Sequence, residues 1–592
     1  MRIFARANQC SNYPSRRMAW MIGIVTSAIL LFCLYCFGDM RYFNNDDARI
    51  LRPLMGFAGT PPPDFHLYLN ALWVYPLRWL GTVFPGIAWF SFLQLALLWI
   101  ACTVSIKSIL CCFAKAGQPF IAGLAAMTVY IGVFAMTYCC IITYTVTAAM
   151  LSAAAVLQIL SIDREYSNDA STARSLAGAF ALVIAAYSLR QITAIPALLF
   201  CALALATQGL TDLGKQRSWR AFLLPVALFA GVLIILAGTR EWEIQAKEMD
   251  SYIKWQRARI SVMDYPGIAL SDDILKQIGW SHTEMELVDQ WYFIDENIST
   301  EAFETISAYQ KTQSPDSLTN KFLTSLEEIE HFFSTELLAA RSIWVLLGVL
   351  GLSGASLLFQ RNNSLYPLLG LIGSILLTVM MSIYLGSAGR LPLRAVLTVL
   401  LPVSAYTFGM LPACLPPPGA ARKNLSVFLC LFSCCIFGLS LWYALPAIHE
   451  FIPKPENETN EVSLNDQFAD LDEYALENPD LLFIYDTSFT SDTRMFPAAH
   501  DGTPSNTMFW GGWPARSPEY MAQLAAFGID GQHTDATIFL HDDVRLARTA
   551  IDPPPTMLMR YLQELTGLEV DYMIDGEWGG VHIFQLYAYE NE

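Results

Sequence analysis

Eleven long apolar runs constrain this chain more than any other feature. They lie at roughly 18–38, 87–112, 119–137, 145–161, 175–190, 191–209, 219–239, 341–360, 364–386, 393–413 and 425–446. Each is long enough to cross about 30 Å of hydrocarbon as a helix. In lipid a backbone must satisfy its own polar groups, so such runs fold as helices. The reading is a polytopic α-helical membrane protein with about eleven transmembrane helices. Composition agrees. The chain is 54% hydrophobic and 15% charged, whereas soluble domains are about a quarter charged. Mean hydropathy is +0.38 over 592 residues.

Lysines and arginines in short loops set the orientation. With the N-terminus inside, the inside loops carry Lys115, then Arg164 and Arg174, then Lys215, Arg217 and Arg220, then Arg361, then Arg422 and Lys423. This alternation puts the first loop, residues 240–340 and residues 447–592 on the extracytoplasmic side. Arg2, Arg6, Arg16 and Arg17 precede the 18–38 run, and no small-residue cleavage site stands before Arg41. An uncleaved signal anchor is expected. The first loop, 39–86, contains "HLYLNALWVYPLRWLGTVFP", rich in aromatics but broken by His66, Asn70, Pro76 and Arg78. A span there would spoil the charge alternation, so an amphipathic helix in the outer interface is predicted.

Residues 1–446 then form the transmembrane domain, with a helical insertion at 240–340 that shows apolar residues at helical spacing. Residues 447–592 read as a C-terminal α/β domain. "LLFIYD" and "GVHIFQLYAY" suit strands, and "SPEYMAQLAAFG" and "PTMLMRYLQELTG" suit capped helices. The thirteen cysteines fall mostly in apolar runs, and neither polar stretch contains one. No disulfide framework is implied. A net charge of −17 argues against nucleic acid as a partner. There is no phosphate-cradling GxxxxGK[ST] motif and no zinc-like Cys/His spacing.

The charge rule leaves few cations for short outer loops, yet Arg41, Arg49, Arg52 and Arg78 lie in the first one. Arg190 sits in the hairpin "YSLRQI", and Arg390 and Arg394 lie in "GSAGRLPLRA". All are at predicted outer helix ends, where an anionic lipid head group sits. The planar fork of arginine suits phosphate. Asp46 and Asp47 stand beside these cations in "NNDDARI", which favours an ionised carboxylate able to act as general base or metal ligand. The same pair also suits an N-cap for the helix beginning "ARILRPLM", and single arginines at helix ends also snorkel to ordinary lipid.

The pieces "NNDDARI", "HLYLNALWVYPLRWLGTVFPGIAWFSFLQL", "TYTVTAA", "SLRQ", "QRARISVMDYP", "QWYFID", "GRLPLRA" and "FWGGWPARSPEY", in that order, resemble the GT-C superfamily of polytopic glycosyltransferases. More closely they resemble an uncharacterised bacterial family with a first-loop Asp-Asp motif. The resemblance covers nearly the whole chain. It implies a GT-C-like fold and transfer of a sugar from a polyprenyl-phosphate-linked donor to an extracytoplasmic glycan or cell-envelope polymer at the bacterial cytoplasmic membrane. It implies catalytic roles for Asp46, as base, and Asp47, in support, and donor-phosphate binding by Arg390, Arg394 and Arg190. A direct displacement of this kind inverts the anomeric carbon. Arg49, His66, Tyr144, Arg257, Arg259 and Asp264 are candidates for lining the cavity. Trp513 is a candidate for stacking on the acceptor, or equally a packing residue of its own domain. No cofactor is firmly implied. A divalent metal, held by Asp46 and Asp47 if at all, stays open, because the longer acidic metal motifs of oligosaccharyltransferases are missing. Two other readings remain: a lipid-linked glycan transporter or flippase, which would show two similar halves, and a non-catalytic envelope scaffold, which leaves the acidic pair unexplained.

Overall fold

The computed structural model describes residues 15–37, 40–43, 45–55, 63–163, 169–213, 220–264, 270–313, 318–358, 365–387, 389, 391–416, 464–486, 495–496, 506–549, 554–578 and 581–590. Among these, nine helices are long and apolar enough to cross a membrane. The chain is a polytopic helical membrane protein with a small C-terminal sheet region. The predicted run at 425–446 and the boundary at 447 lie outside the described residues.

The order begins with α1 (Arg16–Phe37), a two-residue strand β1 (Arg41–Tyr42) and the short helix α2 (Asn45–Leu54). Helix α3 (Ala71–Val83) follows, then α4 (Trp89–Lys115). Next comes α5 (Phe120–Tyr130), which runs on through a wide π-turn to Cys140, then β2 (Ile141–Ile142) and α6 (Tyr144–Leu160). Helices α7 (Asp169–Leu189), α8 (Ala194–Leu213) and α9 (Arg220–Ala246) complete the first group.

Helix α6 is the hub. All of its 17 residues are buried, and it packs against α4, α7 and α8. Small residues at Ala148, Ala149 and Ala153–Ala155 let neighbouring backbones approach closely, as membrane helices do where lipid supplies no hydrophobic drive between them. Where α1 crosses α4, a Cβ on Gly23 would come within 2.7 Å of the Thr103 carbonyl oxygen, so only glycine fits. Helix α3 has 13 residues, about 20 Å, too short to span. It buries Val74, Leu77 and Gly81 and exposes Leu72, Tyr75, Trp79 and Val83. Both faces are largely apolar, so the helix does not show the polar outer face expected of an amphipathic interfacial helix.

The insertion supplies α10 (Asp250–Met263), α11 (Asp272–Ile278), α12 (His282–Asp289), α13 (Thr300–Gln313) and α14 (Leu318–Thr335). Apolar helices α15 (Leu337–Leu358), α16 (Leu365–Gly386) and α17 (Leu393–Cys414) come next, and α17 packs against α6. The C-terminal region contains α18 (Leu464–Glu477), β3 (Leu482–Tyr485), β4 (Thr507–Phe509), α19 (Pro518–Ala526), β5 (Val544–Thr549), α20 (Thr556–Thr566), β6 (Glu569–Trp578) and β7 (Val581–Tyr589). Its five strands are ordered β4-β3-β5-β7-β6. The β4, β3 and β5 pairings are parallel and those of β5, β7 and β6 antiparallel.

The insertion and the sheet share one apolar core. Trp255, Trp280, Phe293 and Phe303 pack in the same cluster as Leu482, Ile484, Trp510, Leu546 and Phe584. A polar knot lies at this seam. The Tyr292 and Tyr561 hydroxyls donate to the two oxygens of Asp295, the former at 2.6 Å. Burial pushes the Asp295 carboxyl up to about 6, against both phenol bonds. Burial, helped by the charge of Asp295, pushes Glu284 up to about 7.

Candidate functional site

The site starts from the local sequence "NDDARILRPL" of α2. At 3.6 residues per turn, Asp47, Ile50, Leu51 and Leu54 fall on one face, and each is at most 2% exposed. Asp46, Arg49 and Arg52 fall on another. Adjacent carboxylates therefore enter different surroundings. Asp47 is turned into the helix packing. Its Oδ1 accepts from Gln94 Nε2 of α4 at 2.9 Å and from the backbone N–H of Tyr144, first residue of α6, at 2.8 Å. Thr147 in turn donates to Gln94 Oε1 at 2.6 Å. Burial holds the Asp47 carboxyl well above the usual carboxylate range; the Tyr144 bond opposes this and the neighbouring Asp46 adds to it. Asp47 thus ties α2 to two membrane helices.

Asp46 faces the other way, and its Oδ2 meets Arg394 Nη1 at 2.7 Å. Arg394 stands in the first turn of α17, just after Pro392. The two side chains are 24% and 30% exposed, so this pair stays within reach of solvent and ligands. The small strand pair β1–β2, with Tyr42 opposite Ile142, fixes the entry to α2 beside the start of α6. The Tyr42 hydroxyl is 2.7 Å from Ser91 Oγ on α4.

Tyr68 lies at the centre of the cluster. Its loop is held by Arg240 at the end of α9, whose guanidinium donates to the carbonyls of His66 at 2.7 Å and Leu67 at 3.0 Å. Tyr68 stacks on Tyr144, with ring centroids 5.7 Å apart. Arg190, which caps the turn after α7, lies over both rings at 4.6 and 5.3 Å. Burial pushes the Tyr68 phenol up to about 12; Asp46 raises it further, Arg190 and Arg259 lower it, and Asp264 raises it. Four charged groups from three segments, α2, the turn after α7 and α10 with its C-terminal cap, are therefore within electrostatic range of one ring. Tyr144 is within electrostatic range of Asp46, Arg190 and Arg394 as well.

Arg49 completes the cluster from the opposite side. Its guanidinium carbon lies 4.1 Å from the centre of the Phe509 ring of β4. Burial pulls it down to about 10, with Asp46 and Tyr68 opposing, so it stays protonated at neutral pH. Among the described residues neither Arg49 nor Arg190 pairs with a carboxylate, and the Nε of each has no hydrogen-bond partner. Both are held by aromatic faces instead, and neither is ion-paired among the described residues.

The other candidates fall less evenly. His66 is buried, and its Nδ1 accepts from the backbone N–H groups of Tyr68 at 3.1 Å and Leu69 at 3.3 Å. Burial, with Arg240 adding, holds it down to about 3. It is a neutral turn-former rather than a charged wall of the site. Arg259 is buried, bonded to Gln256 Oε1 at 3.1 Å and to Asp264 at 3.4 Å. The structure does not bring Arg257 to the cluster: it is 71% exposed and faces Glu241 at 3.9 Å. A two-residue step from Arg259 on a helix turns it to another face. Arg390 lies outside the described residues. Trp513 is half-buried, edge-on to His66 at 4.8 Å and to Tyr68 at 5.6 Å. Its carbonyl accepts from Tyr252 at 2.5 Å and Gln256 at 2.6 Å, both on α10.

Sequence reasoning missed Tyr68, Gln94 and Phe509. Gln94 was legible as a lone amide inside an apolar run, which asks for a buried partner. The rest carry no local signal. For a metal, no group of three or more His, Cys, Asp or Glu stands together among the described residues, and Asp46 and Asp47 engage separate partners instead of facing one point.

No protein-family model matches this chain, and no curated protein matches it. Two solved structures do. One is ArnT from Cupriavidus metallidurans bound to undecaprenyl phosphate, 12% identical, covering 95% of this chain and 97% of that one with a TM-score of 0.47. The other is ArnT from the same organism in the apo state, 11% identical, covering 96% and 98%, with a TM-score of 0.45.

Proposed function

We propose that this chain is a membrane glycosyltransferase that moves a sugar from a polyprenyl-phosphate carrier to a glycan acceptor on the outer face, with Asp46 as base. The observation that carries this reading is the grouping at Tyr68. A solvent-reachable carboxylate paired with Arg394 stands among two guanidiniums, Arg49 and Arg190, that no described carboxylate neutralises. Their segments abut the ends of membrane-length helices, the depth at which a lipid phosphate sits.

The chemistry follows from charge. The donor is a phosphodiester with a single negative charge, and Arg190 and Arg49 hold it. An acceptor hydroxyl approaches the anomeric carbon opposite the phosphate. Asp46 takes the hydroxyl proton as the new C–O bond forms. The old C–O bond breaks with its electron pair going to the phosphate, and the anomeric centre inverts. Protonation of Asp46 strips Arg394 of its counter-charge at the moment the phosphate gains one. Arg394 thus serves the base before the reaction and the leaving group after it. Asp47 has a holding role in this scheme, and Trp513 with Tyr68 offers ring surface for a sugar.

The test uses purified protein in proteoliposomes with defined polyprenyl-phosphate sugars and envelope glycans as acceptors. Asp46→Asn should lower transfer by at least about a hundredfold, the usual worth of a general base. Arg190→Lys should raise the donor KM, because lysine keeps charge but loses the fork. Near-wild-type transfer by stable Asp46→Asn protein would refute the assignment.

A further inference from the structure

Helix α2 has ten residues with Pro53 inside it. Alone, so short a helix is marginal, so its position is set by what grips its two sides. One side is the membrane bundle, through Asp47 and the buried apolar residues. The other side is the C-terminal sheet region. Arg52, in the last turn, donates from one nitrogen to both oxygens of Asp472 on α18, each at 2.7 Å. The side chains are 20% and 9% exposed, enough shelter for a charged pair to count. One turn earlier Arg49 lies on Phe509. A Cβ on Gly512 would come within 2.5 Å of Arg49 Nη1, so the loop after β4 is seated directly on that arginine. This loop is clamped in turn by α10 through the Trp513 carbonyl and by an antiparallel bridge from Tyr292 to Gly511.

Resting on the glycosyltransferase reading above, we infer that the Arg52–Asp472 ion pair is a positioning device. It couples the sheet region to the helix that carries Asp46, so that turnover requires the sheet region to be docked. Arg52 and Asp46 are six residues apart, about 9 Å along the helix axis. A small tilt at the Arg52 end moves the carboxylate, and a displacement of about 1 Å at a reacting group can cost about a hundredfold in rate. Arg52 and Asp472 touch no substrate in this scheme; they act through α2.

The test is a charge swap in the full-length protein. Arg52→Asp and Asp472→Arg should each lower kcat about tenfold to a hundredfold and also raise the donor KM, because Arg49 rides on the same helix. Hydrogen exchange over residues 45–54 should rise in both while exchange in the other membrane helices stays as in wild type. The double swap should recover most of the lost kcat and the exchange protection. Unchanged kcat in well-folded single variants would overturn the inference, and so would a folded swap that recovers nothing. If the wild type transfers no sugar from any donor, the glycosyltransferase reading fails instead. The exchange measurement still decides the coupling: protection lost in Asp472→Arg and restored in the swap upholds it, and unchanged protection overturns it.

Discussion

Substitutions at Asp46 and Asp47 should separate chemistry from holding. Asp47→Leu removes the acceptor for two buried donors, Tyr144 N–H and Gln94 Nε2. Each orphaned donor costs about 1–3 kcal/mol, so the loss is about 2–6 kcal/mol. Asp47→Asn keeps an oxygen for both donors. Its new amide nitrogen falls where Asp47 Oδ2 has no partner among the described residues, which costs about 1–2 kcal/mol. Asp46→Asn breaks only a part-exposed ion pair, about 1 kcal/mol at most. Stability should therefore fall in the order Asp46→Asn, Asp47→Asn, Asp47→Leu. Activity per folded molecule should follow another order, with Asp46→Asn down at least about a hundredfold and Asp47→Asn within about tenfold of wild type. Melting in detergent, read beside single-turnover sugar transfer, checks both. If Asp47→Asn is as inactive as Asp46→Asn while stable, Asp47 takes part in the chemistry and the division of roles is wrong.

Two further predictions concern the sheet region. Glu284 is raised in the fold to about 7, so its contribution to stability is complete below its unfolded value and is lost as pH climbs from about 4.5 to 7. Up to about 3 kcal/mol of docking stability should disappear over that window, and Glu284→Gln should flatten the pH dependence of melting; an unchanged slope refutes it. Gly512 has φ +81°, so Gly512→Ala should cost about 1–2 kcal/mol for the backbone alone. It should also displace Arg49 and raise the donor KM; wild-type melting and KM would show that the loop does not bear on Arg49.

The spans and the strands β3 and β7 were legible in the sequence because each depends on local pattern, whereas β4, β5 and β6 were not read from it. Hydrophobic length sets a span, alternation sets a strand, and cations at outer helix ends stand out against the charge rule. The expected orientation rests on the same counting. What followed from the sequence was which cations stand at the ends of long apolar runs and which segment bears the acidic pair.

The division of labour inside that pair came only from tertiary structure. Two neighbouring residues on a helix point about 100° apart, and which one faces inward depends on the packing of α4 and α6, not on α2. The same holds for Arg52, whose partner is 420 residues away, and for Tyr68, which four charges approach from three segments. It holds too for Arg257, which a two-residue step turns away from Arg259. Contacts of such separation leave no periodic trace, because they are made by surfaces that do not exist until the helices have packed.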